Sequence, residues 1–147
     1  MAQGFVDALT AAPPLSKLSQ YIVANGVFYM LAGFVLFLAP ADWVALGLLL
    51  DGFEGYEEGW ARMVGVSLFV VGWFYVMGGR TGATSFGLAT VVDRALVPFV
   101  MFGLYATGKV AAGMVLGVAV IDPLLAIGAF LIWRSERGDY SGEATPV

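Results

Sequence analysis

The chain of 147 residues is 60% hydrophobic and 12% charged, with a formal net charge of −4. Soluble domains are typically about 45–50% apolar and about 25% charged, so this composition excludes an ordinary soluble protein and predicts an integral membrane protein. The sequence has no cysteine, no histidine and no basic patch, so we predict no metal site, no cofactor and no nucleic-acid partner.

The first two predicted helices are uncharged runs of membrane-spanning length. Residues 18–39 carry no charge and end before Pro40. The second run lies between Arg62 and Arg80 and indicates a helix over residues 61–80. A bilayer core of about 30 Å requires about 20 helical residues, so each run predicts a transmembrane helix. The segment before the first run lacks the basic start and cleavage site of a secretory signal, and we expect that helix to be retained.

A shorter apolar piece, Trp43 to Leu50, lies between these helices and cannot cross a bilayer. Asp42 stands before it in the position of a helix N-cap. We therefore predict a short interfacial helix over residues 42–50, in the first loop outside the membrane.

The remaining apolar stretch is long enough for two helices. From Ala95 to Trp133 the only charged residues are Lys109 and Asp122. Such a stretch is too long for one crossing and predicts a helical hairpin. Its helices are expected over residues 87–108 and 111–133, followed by a polar, mobile tail over residues 135–147. The predicted fold class is an all-α integral membrane protein, a four-helix transmembrane bundle with a short interfacial helix, forming one domain over residues 1–147.

The distribution of basic residues predicts the orientation. Four crossings place both termini on one side, where the sequence has five basic residues against two on the other. They are Lys17, Arg80, Arg94, Arg134 and Arg137 on the terminal side, and Arg62 and Lys109 on the other. Because cytoplasmic loops carry the excess of lysine and arginine, we predict a multi-pass protein of the cell (inner) membrane with both termini in the cytoplasm.

Asp122 is an unusual residue within the last apolar run. Residues equidistant from the tip of a hairpin lie at similar depth, and Gly108, in the predicted turn, is midway between Arg94 and Asp122. An aspartate at the bilayer centre costs about 2.5–3.5 kcal/mol on insertion scales, so it normally points inward and finds a partner. We expect Arg94 to face Asp122, with Asp93 as the competing acid for Arg94.

Two interpretations of this pair stay open. In the first, Arg94 and Asp122 form a structural ion pair that fixes the register of the hairpin. In the second, they line a polar cavity for a small ligand, a lipid headgroup or a proton. Pro123 fits both, because it removes the amide bond to the carbonyl of Ala119 and bends the helix.

Polar side chains form a stripe on the first helix. Tyr21, Asn25 and Tyr29 recur every four residues and share one face. We favour packing contacts with neighbouring helices, and the alternative is that the stripe completes a ligand site with the hairpin. The candidate ligand-binding residues are Tyr21, Asn25, Arg94 and Asp122.

Glycines at helical spacing predict close contacts between helices. The repeats are Gly26 and Gly33 on the first helix, Gly65, Gly72 and Gly79 on the second, and Gly113 and Gly117 on the fourth. We expect these glycines to pack inside the monomer, with a homodimer seam as the alternative.

Four segments resemble the DoxX-like families, small bacterial membrane proteins with four helices. They are NGVFYMLAGFVLFLAP in the first helix, ARMVGVSLFVVGWFYVMGGR in the second, DRALVPF in the third and VIDPLLA in the fourth. The resemblance covers most of residues 20–134. It implies the four-helix architecture and an accessory role, in some members at membrane redox complexes, and it supplies no reaction.

Motifs of known enzymes are missing from the sequence. There is no Walker loop, no GxGxxG, no HExxH and no histidine to activate a serine. We favour a non-catalytic role and leave open catalysis by Asp, Glu, Tyr and Arg alone. The leading hypothesis is an accessory or assembly subunit of a membrane complex, and the alternative is a small carrier or a protein that binds a lipid-type or quinone-type ligand. The expected partners are the lipid bilayer, other membrane subunits and a second copy of the chain.

Overall fold

A computed structural model describes residues 13–45, 56–108, 110 and 112–141 of the chain. These residues form helices and no strand. The helices are α1 (Lys17–Leu38), α2 (Pro40–Ala45), α3 (Glu57–Arg80), α4 (Thr84–Ala106) and α5 (Ala112–Ser141). All except α2 contain a stretch long and apolar enough to cross a membrane. The predicted all-α bundle of four membrane-spanning helices is confirmed, and the protein is a multi-pass membrane protein.

Several helices begin earlier than the sequence predicted. α2 begins at Pro40, because proline suits the first helical turn, where its missing amide is not needed. Asp42 therefore lies in that first turn and not at the N-cap, and residues 46–50 of the predicted helix lie outside the described residues. α3 begins at Glu57 instead of residue 61, since acidic residues in a first turn suit the helix dipole.

The turn between α3 and α4 is shorter than expected. Gly82 adopts a φ of +70°, a left-handed conformation that favours glycine, and this lets the chain reverse within a few residues. α4 consequently begins at Thr84, before the predicted start at residue 87.

The last helix continues through Ser141, so residues 135–141 of the predicted tail are helical. Glu136 accepts hydrogen bonds from the backbone amides of Lys17 (2.6 Å) and Leu18 (3.4 Å), at the start of α1. The guanidinium of Arg137 lies over the ring of Trp133, 5.1 Å from its centroid. The hydrogen bonds of Glu136 tie the polar end of α5 to α1, which hydropathy alone does not reveal, whereas the contact of Arg137 lies within α5.

The cap from Glu136 leads to a testable expectation. The Glu136→Ala variant should lose about 1 kcal/mol of unfolding free energy, because it leaves amides at the start of α1 without an acceptor. Steric trapping in bicelles measures this. Ser135→Ala is the matched control, because the Ser135 hydroxyl is exposed and bonds only within its own helix, to the carbonyl of Ile132. Equal losses in the two variants would contradict the capping role.

α1 and α3 cross in close contact along the predicted glycines. A Cβ atom on Gly33 would lie 2.5 Å from the carbonyl oxygen of Gly65, and a Cβ atom on Gly72 would lie 2.5 Å from the carbonyl oxygen of Gly26. In lipid, apolar side chains gain little from meeting each other, so close backbone packing at small residues drives helix association. Packing of these glycines inside the monomer is confirmed.

Gly117 differs from the glycines of α1 and α3. Among the described residues, no atom of another element lies within 4 Å of a Cβ placed on it. Gly113 lies outside the residues whose surroundings are described. At Gly117, therefore, the GxxxG of α5 does not pack against another described helix of this chain.

α4 and α5 form the predicted hairpin. Gly108 stands in the turn with a φ of +67°, and its amide bonds to the carbonyl of Tyr105 at 2.9 Å. α1 contacts both helices of the hairpin as well as α3. The core consists of Leu18, Ile22, Tyr29, Tyr75 and Ala129. The centre of the bundle therefore lies where α1 meets α3 and α5.

Candidate ligand site around Arg94

Arg94 lies near the middle of α4 and is 1% exposed. Its Nε, Nη1 and Nη2 atoms have no hydrogen-bond partner among the residues that the structure describes. A guanidinium carries five N–H donors, and buried donors in proteins are nearly always satisfied. Arg94 is therefore the polar group of the bundle that most requires an explanation.

Two tyrosine rings form a corner around the guanidinium. The Cζ atom of Arg94 lies 4.8 Å from the ring centroid of Tyr75 and 5.4 Å from that of Tyr29. The two rings meet edge to face, with centroids 5.7 Å apart and an interplanar angle of 78°. Each contact between the cation and a ring contributes about 0.5–2 kcal/mol. The rings stabilise the positive charge, and they leave the N–H donors without oxygen acceptors.

Each of these tyrosines donates a hydrogen bond to an aspartate. The hydroxyl of Tyr29 donates to Oδ1 of Asp122 at 2.5 Å. The hydroxyl of Tyr75 donates to Oδ2 of Asp93 at 2.9 Å. We call these five residues, Arg94, Tyr29, Tyr75, Asp93 and Asp122, the Arg94 cluster. It joins four helices, because Tyr29 comes from α1, Tyr75 from α3, Asp93 and Arg94 from α4, and Asp122 from α5.

The direct ion pair expected from the sequence is not formed. Arg94 has no salt bridge with Asp122 or with Asp93. Tyr29 instead contacts both residues, since its ring lies beside the guanidinium and its hydroxyl donates to Oδ1 of Asp122. Arg94 and Asp122 still interact electrostatically. The equal distance from the hairpin tip therefore predicted the shared region of Arg94 and Asp122, but it did not reveal that Tyr29 contacts both.

The other two predicted site residues have different roles. Tyr21 donates to the carbonyl of Leu125 at 3.3 Å and lies against Gly128, so it joins α1 to α5 as a packing contact. Asn25 is 6% exposed, and its Nδ2 atom has no partner among the described residues. It precedes Tyr29 by one helical turn on the same face, so it borders the Arg94 cluster.

Sequence reasoning missed Tyr75 entirely and treated Asp93 only as a competitor. A signal for Tyr75 was present, because it shares a helix face with Gly72 and Gly79, the glycines that were expected to contact another helix. Pro98 was also missed. It lies inside α4, four residues after Arg94, where it removes the amide that would bond the carbonyl of Arg94 in a regular helix.

Comparison of the chain with protein-family models, with curated proteins and with solved structures gave no match. The resemblance to the DoxX-like families therefore stays a hypothesis that rests on the quoted segments alone.

The link through Tyr29 can be measured on its own. The Tyr29→Phe variant keeps the ring beside Arg94 and removes the hydrogen bond to Asp122, so we expect a loss of about 1.5–3 kcal/mol of unfolding free energy. Adding Asp122→Asn should cost much less in the Tyr29→Phe background than in the parent, because the two groups share one bond. Tyr105→Phe, at a tyrosine that is 50% exposed, is the control and should change little. Additive losses would show that the bond contributes nothing.

Proposed function

We propose that this protein is a small integral membrane protein that binds a lipid-soluble ligand inside its bundle, with Arg94 as the main contact. The observation that carries the proposal is the buried guanidinium whose three nitrogens have no acceptor among the described residues. Leaving a buried donor unsatisfied costs about 1–3 kcal/mol, and more when the group is charged. An acceptor oxygen from a bound molecule would remove that cost.

The surroundings of Arg94 also support a binding role over a purely structural one. A structural arginine would normally take a carboxylate in a bidentate pair, since its planar fork matches a carboxylate. Here the guanidinium donates to neither carboxylate of the cluster, each of which accepts from a tyrosine hydroxyl, and Asn25 adds a second buried donor without a partner. The donors of Arg94 are thus kept available for another acceptor.

The position of the site favours a ligand that reaches it from the bilayer. Asp93, next to Arg94, is exposed near the middle of a membrane-spanning helix. α3 also makes far fewer backbone contacts with α4 than with α1. An opening between α3 and α4 at this depth would face lipid, so the ligand would be lipid-soluble.

Native mass spectrometry of the protein released from lipid nanodiscs tests this proposal. We expect a small non-covalent adduct on the parent that is absent from Arg94→Gln and retained by Arg137→Gln, which changes an exposed arginine at the end of α5. An adduct that persists in Arg94→Gln would contradict the proposal. The proposal would also be contradicted if the parent protein carries no adduct and its melting temperature does not rise with any fraction of a membrane lipid extract.

A second candidate function is the accessory or assembly subunit of a membrane complex. It is favoured by the exposure of Asp93, because a carboxylate facing lipid at mid-depth costs about 2.5–3.5 kcal/mol unless something covers it. Blue native electrophoresis of gently solubilised membranes tests it. A larger complex that Asp93→Asn dissociates, while Tyr105→Phe does not, would support this function, and a protein that runs alone in both variants would contradict it.

We further propose that the protein resides in the cell (inner) membrane with both termini in the cytoplasm. Arg94 is buried within α4 and so does not count as a loop residue. Without it, the terminal side has four basic residues and the other side has two. The positive-inside rule still favours this orientation. To test this, a single cysteine is introduced beside residue 14 or beside residue 107, and intact cells are treated with a membrane-impermeant thiol reagent. Only the cysteine beside residue 107 should be labelled.

A further inference from the structure

We infer that the ligand at Arg94 is neutral and presents a carbonyl oxygen, such as that of an ester or amide, on an apolar body. This inference rests on the proposed function and names the chemistry of its ligand. It follows from the charges and hydrogen bonds of the Arg94 cluster, which distinguish a neutral acceptor from an anion.

The Arg94 cluster has more negative formal charge than its one arginine can neutralise. Arg94 contributes one positive charge, and Asp93 and Asp122, both acceptors of tyrosine hydrogen bonds, contribute two negative charges, which sum to −1. A carboxylate ligand would make the net formal charge of the cluster and ligand −2, in a region of low dielectric constant where like charges repel strongly. A carbonyl oxygen satisfies an N–H donor without adding charge.

The hydrogen-bonding capacity of the site excludes a pure hydrocarbon as the ligand. The donors without a partner are the nitrogens of Arg94 and the Nδ2 atom of Asn25, and none of them donates to a carboxylate of the cluster. A pure hydrocarbon would leave every one of these donors unsatisfied. A carbonyl oxygen has two lone pairs and accepts from one or two of them.

The depth of the site in the membrane determines the polarity of the rest of the ligand. Arg94 is buried near the middle of α4, and large apolar side chains on both flanking helices, Phe74 on α3 and Leu96 on α4, are about 60% exposed, at 62% and 58%. A molecule that reaches this depth leaves water entirely, so most of its surface must be apolar. The chemical class is therefore a neutral lipophilic carbonyl compound.

A series of probes with one chain length separates the possible head groups. The purified full chain, in a neutral maltoside detergent, is titrated with methyl myristate, myristamide, sodium myristate and tetradecane, and its melting temperature is measured. We expect the ester and the amide to raise the melting temperature with apparent affinities about tenfold tighter than that of myristate, and tetradecane to have no effect. The Arg94→Gln variant should lose the response to the ester and the amide.

The outcomes distinguish this inference from the proposed function. If myristate stabilises the parent as well as or better than the ester, through Arg94, the inference is wrong and the proposed function survives. If no probe stabilises the parent, the inference is wrong, and the proposed function is then decided by the adduct and lipid-extract measurements. Asp93→Asn provides a second test at an exposed position, since it brings the formal charge of the cluster to zero. That variant should bind myristate several-fold more tightly and the amide about equally, and an unchanged preference would overturn the charge argument.

Discussion

Replacing Gly33 by alanine is expected to remove about 2–3 kcal/mol of unfolding free energy. The added Cβ would lie 2.5 Å from the carbonyl oxygen of Gly65 and from the amide nitrogen of Phe69. Both are backbone atoms, so neither can move aside as a flexible side chain would, and α1 and α3 must separate along their length. Overpacking in well-packed regions costs about 1–3 kcal/mol and occasionally more.

The matched control for this variant is Gly117→Ala on α5, where a Cβ would meet no described atom of another element within 4 Å. Alanine is the better helix former by about 1 kcal/mol, so Gly117→Ala should leave stability unchanged or raise it slightly. Steric trapping in bicelles measures both variants. A Gly33→Ala protein as stable as Gly117→Ala would show that α1 and α3 do not approach as closely as the structure has them.

The largest loss is expected from Arg94→Gln, at about 3–5 kcal/mol. The substitution removes the cation of the Arg94 cluster together with its contacts to two rings, and it leaves Asp93 and Asp122 without a compensating charge. Removing Asp122 as well, by Asp122→Asn, should restore part of the loss. The double variant should therefore be more stable than the sum of the two single losses implies, by more than about 0.5 kcal/mol. Strict additivity would contradict electrostatic coupling through Tyr29.

A variant that neutralises the whole cluster separates stability from function. Buried ion networks replaced by neutral residues of similar size are often as stable as the original or more stable. Arg94→Met combined with Asp93→Asn and Asp122→Asn should therefore recover most of the stability lost in Arg94→Gln while binding no probe. If this variant remains as unstable as Arg94→Gln, the charges of the cluster are themselves required for the stability of the fold.

The transmembrane helices could be predicted from the sequence because bilayer thickness sets a length that uncharged runs must meet. The glycine contacts of α1 and α3 were also predictable, since a seven-residue repeat keeps small residues on one face. The continuation of α5 to Ser141 was not, because these residues are polar, and the contact of Glu136 with the start of α1 was equally hidden. A contact between residues 119 positions apart leaves no local pattern.

The candidate site was predicted only in part for a similar reason. Depth could be calculated from the hairpin, and it placed Arg94 and Asp122 in one region. Whether a third side chain contacts both residues depends on how α1 packs on the hairpin. Tyr29 was therefore recognised as part of the polar stripe of α1, and not as the residue that contacts both Arg94 and Asp122. Tyr75 reaches the site from α3 and donates to Asp93 of α4, and no periodicity within the sequence defines the position of α3 relative to α4.

The availability of the Arg94 donors can be observed directly by NMR of the full chain in lipid nanodiscs, with nitrogen-15-labelled arginine. The Nε–H resonance of Arg94 is assigned by its absence from the Arg94→Gln spectrum and followed as methyl myristate or tetradecane is added. We expect a saturable downfield shift of this resonance with methyl myristate and none with tetradecane, since only the ester supplies an acceptor oxygen. A resonance that does not move at saturating ester, or that is already coupled to an aspartate carboxylate in the ligand-free protein, would contradict a ligand site at Arg94.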